Sequence, residues 1–262
     1  MITIVHTTDL VHDDPCGLSH ALALTRAAGG RLVLLHASDG HEPTGRMPDT
    51  APLLRAWGVD PRAVDVVEHV HRCCEEPADT LIDALNRLAP DLVVATTHRR
   101  GALARMFAGS VAETMAANTR VPTLLLPEGT RGVVVQADGR VDVRRILVPL
   151  GDAAAAEVAL RAAVWFGRMC GVTTAEIVLL HVGAPQAEPP SVDDLPPGWT
   201  VTRRDVVGHG VSVEDAIVAE VREQCLVVMA TRGHDSLVDV VRGSHTERVL
   251  HRVGCPVLSV AV

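Results

Sequence analysis

Residues 93–126 read VVATTHRRGALARMFAGSVAETMAANTRVPTLLL, and residues 227–260 read VVMATRGHDSLVDVVRGSHTERVLHRVGCPVLSV. The two stretches align without a gap. Val93 falls on Val227, Thr97 on Thr231, Leu103 on Leu237, Gly109 on Gly243, Ser110 on Ser244, Glu113 on Glu247 and Pro122 on Pro256. Apolar strands resemble one another by chance, but chance does not also bring Gly, Ser, Glu and Pro into register, so the chain is a duplication. The beginnings of the halves agree as well. Val5-His6-Thr7-Thr8-Asp9 lies against Val148-Pro149-Leu150-Gly151-Asp152, and Leu34-Leu35-His36 against Leu179-Leu180-His181.

Working outward, each half alternates short apolar runs with longer helical patterns, the signature of βαβ units and of a parallel sheet covered on both faces. The first half predicts strands near 2–6, 31–36, 64–70, 91–96 and 121–126, with helices near 15–28, 76–89 and 110–119 and a shorter one near 51–57. The second predicts strands near 145–149, 176–182, 201–206, 225–230 and 256–261, with helices near 153–169, 213–223 and 244–252. Between the halves, Asp138-Gly139 flanked by β-branched runs predicts a hairpin that joins the domains or pairs with a sheet edge. The expected division is therefore 1–130, a linker hairpin at 131–143, and 144–262. The proline-rich stretch 185–197 falls inside the second half and predicts a surface loop.

A chain of 262 residues suits two domains of about 130 residues each. Its apolar content of 47% is mostly Ala, Val and Leu, with two Phe, three Trp and no Tyr. A net charge of −8 argues against a nucleic-acid binder, which needs a basic stripe, and the scarcity of aromatics removes a stacking platform for bases. Met1–Leu10 has no basic lead and no apolar run approaches bilayer length, so the expectation is a cytoplasmic protein with no membrane partner. The cysteines at 16, 73, 74, 170, 225 and 255 form no CxxC pair and suggest reduced thiols.

The chemistry-bearing motif follows the fourth strand of the second half: Ala230-Thr231-Arg232-Gly233, nine residues, then Gly243-Ser244-His245-Thr246 at the mouth of a helix. A glycine at a strand end lets backbone approach an anion closely. A helix start presents unpaired amide N–H groups and a positive dipole end, each contact worth roughly 0.3–1 kcal/mol, so several must act together. The same Gly243-Ser244 also suits a plain helix cap. The pattern resembles the G-x-x-G, nine residues, G-S/T motif of universal stress proteins, with Ala230 in place of the first glycine. The resemblance covers nearly the whole chain as a tandem copy. It implies two open-sheet, Rossmann-like (adenine nucleotide alpha hydrolase-like) α/β domains, each with a five-stranded parallel sheet and helices on both faces. It also implies a stress-response protein that binds ATP or a related adenine nucleotide, with Mg2+, mainly in the second domain. The nucleotide-contacting residues it implies are Pro149, Leu150, Asp152, Val182, Ala230, Arg232, Gly233, Gly243, Ser244, His245 and Thr246. The two domains are expected to pack as an intramolecular pseudo-dimer, with further pairing into a homodimer open.

The first half departs further from that pattern. Thr96 and Arg99 stand where the first two glycines belong, and only Gly109 and Ser110 remain, so a weakened or absent site is expected there. The family's P-x-D at the end of the first strand is also altered: Asp152 comes one residue late and doubles as a helix N-cap, while His6 stands for proline and Asp9 follows it. His6, His36 and His98 lie at C-terminal strand ends, where ligands of open sheets gather, which leaves zinc as an alternative. His69, His71 and Cys73 alternate along one strand, and either a metal or a polar edge strand explains them. Cys73-Cys74 beside Arg72 is open to an oxidant-sensing reading. No G-x-S-x-G elbow and no G-x-x-x-x-G-K-S/T loop is present, so the chain is at most a slow ATPase, with Arg232 the motif's cation. The alternative function is a nucleotide-free interaction module or a metal or small-ligand binder without catalytic activity.

Overall fold

The structure, a computed structural model, describes residues 1–10, 15–38, 46–72, 77–97, 111–183, 195–207, 210–231 and 245–262. The first half carries β1 (Thr3–Thr7), α1 (Pro15–Ala28), β2 (Arg31–Ser38), α2 (Ala51–Ala56), β3 (Asp65–Arg72), α3 (Pro77–Leu88), β4 (Leu92–Thr97), α4 (Val111–Asn118) and β5 (Thr123–Pro127). A small hairpin follows, β6 (Val134–Val135) and β7 (Arg140–Val141). The second half carries β8 (Arg145–Leu150), α5 (Ala153–Met169), β9 (Ala175–Val182), β10 (Trp199–Val206), α6 (Val213–Glu220), β11 (Cys225–Thr231), α7 (His245–Leu250) and β12 (Val257–Ala261).

Within each half the strands are parallel, in the orders β3-β2-β1-β4-β5 and β10-β9-β8-β11-β12. The two five-stranded sheets are not separate. β12 and β5 pair antiparallel, with Val257 opposite Leu125, Leu258 opposite Leu124 and Ser259 opposite Thr123, and the result is one ten-stranded sheet. Because the join is antiparallel, the C-terminal strand ends of the two halves point in opposite directions.

Period-two alternation divides the core into two layers that run through both halves. Ile4, Leu32, Leu34, Val94, Ile146, Val148, Leu179 and Val228 face one way, beneath α1 and α5. Val5, Val33, Val93, Leu147, Val178 and Val227 face the other, beneath α3, α4, α6 and α7. Strands covered on both faces are near-continuous Val, Ile and Leu for this reason. Each fully buried side chain of that kind contributes about 1.5–3 kcal/mol. The outermost strands, β3 and β10, break the pattern with charged side chains such as Asp65, Glu68, Arg203 and Asp205, which suits strands at a sheet margin. His69 is exposed and His71 half-buried on β3, while Cys73 and Cys74 lie outside the described residues.

Two helices end two or three residues earlier than the periodicity predicts. α6 stops at Glu220 because Val221 is already extended, and Gln224 then turns through a positive φ of 56° to enter β11. α7 stops at Leu250 rather than 252. The hairpin forms as expected but does not extend the main sheet, which corrects the edge-pairing expectation. It docks on α1 instead. Val133 N donates to His20 Nε2 (2.9 Å), Trp57 Nε1 donates to the Gln136 carbonyl (2.9 Å), and Arg26 donates to the carbonyls of Asp138 (3.1 Å) and Gly139 (2.9 Å). Gly132 and Gly139 both have positive φ, and a Cβ at either would collide with His20 or Trp57, so glycine permits this close seat.

Candidate functional site

In an open α/β sheet the connections leave strand 1 in one direction and reach strand 4 in the other, and the strands part at their C-terminal ends. Here those points lie between β1 and β4 and between β8 and β11. Their ladders end at different heights. The first pairs Ile4 with Leu92, Val5 with Val93 and His6 with Val94. The second pairs Arg145 with Cys225, Leu226 with Ile146 and Leu147 with Val227, and stops there, although β8 runs to Leu150 and β11 to Thr231.

These registers correct the expected alignment of the strand beginnings by one residue. Val5 and Leu147 oppose the equivalent residues Val93 and Val227, and Val5 and Leu147 face the same core layer. His6 therefore matches Val148 rather than Pro149, Thr7 matches Pro149, and Asp9 matches Gly151. Asp9 thus lies two residues after the position of Pro149, the spacing of P-x-D, while Asp152 lies one place beyond it. Sequence comparison missed this because both halves offer Val-x-x-x-Asp at the strand end, and a gapless match of those letters outweighs one shifted rung.

The corrected register puts the two crossover points in contrast. In the first half His6 is buried, 1% exposed, and its Nδ1 donates across the gap to the Val94 carbonyl on β4 at 3.2 Å. Beside it, the buried His36 donates from Nδ1 to the Thr8 carbonyl at 2.9 Å, and Thr8 N donates to the Leu35 carbonyl at 3.0 Å. β1 is thereby tied on both sides at its end. In the second half the matching position is Val148, an apolar side chain with nothing to donate, and the ladder, also of three pairs, ends one rung earlier.

Above that ladder, Pro149, Leu150, Val182 and Ala230 are half-buried, and Leu150 and Ala230 pack against the same core layer. Gly151 is exposed, and a Cβ built there meets nothing within 4 Å among the described residues. Sequence reasoning did not single out Gly151; the register shift is the signal that finds it. Asp152 caps α5, its Oδ1 accepting from Ala155 N at 3.1 Å, and its side chain is otherwise exposed at the rim. On the opposite wall Thr231 Oγ1 donates to the Val260 carbonyl (3.3 Å) and the Thr231 carbonyl accepts from Val262 N (3.0 Å). Thr246 is buried in the first turn of α7. The backbone of His245 begins that helix. Arg232, Gly233, Gly243 and Ser244, like His98, Arg99, Gly109 and Ser110 of the first half, lie outside the described residues.

α7 is held to α6 by ion pairs. Arg248 Nε meets Glu214 Oε1 at 2.7 Å, and Arg252 meets Asp215. Hydrogen bonds from Ser212 and then Arg252 hold the Asp215 carboxyl below the ordinary carboxylate range. Among the described residues, no group of three His, Cys, Asp or Glu is arranged to hold a metal, and no helix is long and apolar enough to cross a membrane.

The profile of the Universal stress protein family matches residues 3–127 and 197–261. Among solved structures, a universal stress protein from Archaeoglobus fulgidus DSM 4304 is similar at 17% identity and a TM-score of 0.66, over 99% of this chain and 96% of the other. A functionally unknown protein from Pseudomonas aeruginosa PAO1 is similar at 11% identity and a TM-score of 0.62, over 99% and 92%. At these identities the likeness speaks for the fold. No curated protein matches the chain.

Proposed function

The chain belongs to the universal stress protein family, and on that premise we propose that its second half binds ATP or a related adenine nucleotide while its first half does not. The binding site is the crevice between β8 and β11. The observation that carries this reading is the early end of that ladder, at Leu147 and Val227, below an exposed Gly151 over which no described residue lies within 4 Å of a built Cβ. A crevice at the crossover of an open sheet, with apolar walls and a backbone rim, suits a flat base and a sugar. Leu150, Val182 and Ala230 supply the apolar wall, Pro149 shapes it, and Asp152 at the rim is placed for a sugar hydroxyl. Arg232, Gly233, Gly243, Ser244, His245 and Thr246 are assigned to the phosphates from the motif alone. Mg2+ would arrive on the phosphates, as its preference for oxygen and water ligands favours.

Nucleotide binding changes the protein's conformation or associations only as far as it prefers one state, and that preference is the proposed stress-response function. The division into 1–130, a hairpin at 131–143 and 144–262 belongs to the same reading. The first crevice is assigned a structural role, because His6 closes the rung that a ligand would enter. The experiment is to denature the purified full chain, identify any released small molecule, and titrate the stripped protein with ATP and Mg2+ by calorimetry. One site per chain is expected. No released nucleotide together with no titration heat would favour the nucleotide-free interaction module.

A further inference from the structure

Cys225 opens β11, and Cys255 lies just before β12. The two strands are parallel neighbours in which Val227 opposes Val257 and Val227 N donates to the Pro256 carbonyl at 3.0 Å. Two residues back along each chain stand the two cysteines, side by side and in the same core layer, 1% and 4% exposed. In the first half the matching positions hold Asp91 and Val121, so the pair is peculiar to the second half. Both thiols are free.

We propose that Cys225 and Cys255 form an oxidant-sensitive dithiol that closes to an intrachain disulfide when a peroxide reaches it. The bond would clasp the base of β11 to the approach of β12, enclosing residues 232–244 and α7 in one covalent loop. The pair divides the labour of the reaction. The neighbouring Cys255 thiol holds the Cys225 pKa below the ordinary thiol value against burial, while Cys225 and burial push Cys255 up, and Arg145, the register partner of Cys225 on β8, and Arg222 favour negative charge at Cys225. Cys225 is therefore the thiolate that attacks.

Cys225 sulfur attacks one oxygen of a hydroperoxide. The S–O bond forms, the O–O bond breaks, and the departing alkoxide or hydroxide takes up a proton, leaving a sulfenic acid. Cys255 sulfur then attacks the Cys225 sulfur. The S–S bond forms, the S–O bond breaks, and hydroxide leaves with the Cys255 proton as water. In sum, two thiols and one hydroperoxide give a disulfide, an alcohol or water, and one further water.

The test treats the reduced full chain with hydrogen peroxide, blocks remaining thiols with N-ethylmaleimide under denaturing conditions, and maps non-reduced peptides by mass spectrometry. A peptide pair joined through Cys225 and Cys255 is expected, reversed by dithiothreitol. Closing such a loop is expected to raise the melting temperature by roughly 5–10 °C. Cys225→Ser and Cys255→Ser should each abolish both the cross-link and the shift. Cys170 is the internal control: it lies in the other core layer, away from the pair, and should keep its thiol throughout. Full alkylation of both residues after peroxide, or a stable sulfinic acid on Cys225 beside an intact Cys255 thiol, would overturn the proposal. If a serine variant does not fold, the wild-type peptide map decides alone.

Discussion

The two crossover points of this sheet are built from the same strands in the same order, yet their ladders end one rung apart, at His6–Val94 in the first and at Leu147–Val227 in the second. The difference rests on one rung. His6 sends its imidazole across to the Val94 carbonyl, and its counterpart Val148 has no group to send. A single hydrogen bond is worth only about 0.5–1.5 kcal/mol net. The larger difference is geometric: the first ladder ends one pair beyond the second. Duplication supplied two equivalent crevices. In the proposed reading, one polar side chain in the strand floor gives the first crevice a structural role and leaves the second to the ligand.

The comparison can be broken most sharply by filling the open crevice. Ala230→Phe places a ring against the wall that Ala230 shares with Leu150. Calorimetry should show ATP affinity reduced about a hundredfold, about 2.7 kcal/mol, whereas the matching Thr96→Phe should leave it unchanged. Equal effects from both substitutions would mean that the halves do not differ in the way described.

Exchanging the residue on the deciding rung gives the next effect. His6→Val removes the bond to Val94 and should cost about 1–3 kcal/mol, read by urea denaturation. The cost should come with faster amide exchange in residues 5–9. Asp152→Ala removes the cap of α5 and should cost about 1 kcal/mol of stability. If Asp152 also contacts the ligand, the ATP dissociation constant of the folded variant rises in calorimetry; a pure cap would leave it unaltered.

The smallest effect concerns the ties between α6 and α7. The first half has Thr114 and Asn118 where the second has Arg248 and Arg252, so those ion pairs belong to the second half alone. The Asp215 carboxyl is held below its ordinary value in the folded protein, so its stabilisation is present above the unfolded carboxylate range and is lost as the pH falls through the folded value. Asp215→Asn should therefore lower the melting temperature slightly at pH 7, and the gap to wild type should close in acid. A gap that persists there would assign the effect to something other than the carboxylate's charge.

The duplication and strand order are legible in the sequence because Gly109, Ser110, Glu113 and Pro122 have fixed counterparts that no apolar run imitates. The hairpin is legible from Asp138-Gly139, but its seat is not: what holds it is a set of carbonyls and the His20 ring, which have no sequence signature. The merging of two sheets through β5 and β12 is hidden for a similar reason. Leu124, Leu125, Val257 and Leu258 look like any buried strand, and backbone pairing at an edge is indifferent to which apolar residue carries it. At the β8–β11 crossover, Pro149, Leu150, Asp152 and Ala230 are named by the family resemblance, and the structure places them at the ends of those two strands. His6 was drawn toward metal because histidine at a strand end is chemically versatile. Only the register shows that it faces a carbonyl on the next strand. The Cys225–Cys255 pair escaped notice since the residues are far apart in the chain and become neighbours through the pairing of Val227 with Val257.

Hydrogen–deuterium exchange of the full chain, with and without saturating ATP and Mg2+, tests the contrast between the halves most directly. Slower exchange confined to peptides spanning 148–152 and 229–231, with 5–9 and 94–97 unaltered, is the expected result. Protection of both sets to the same degree, or of the first set alone, would contradict it.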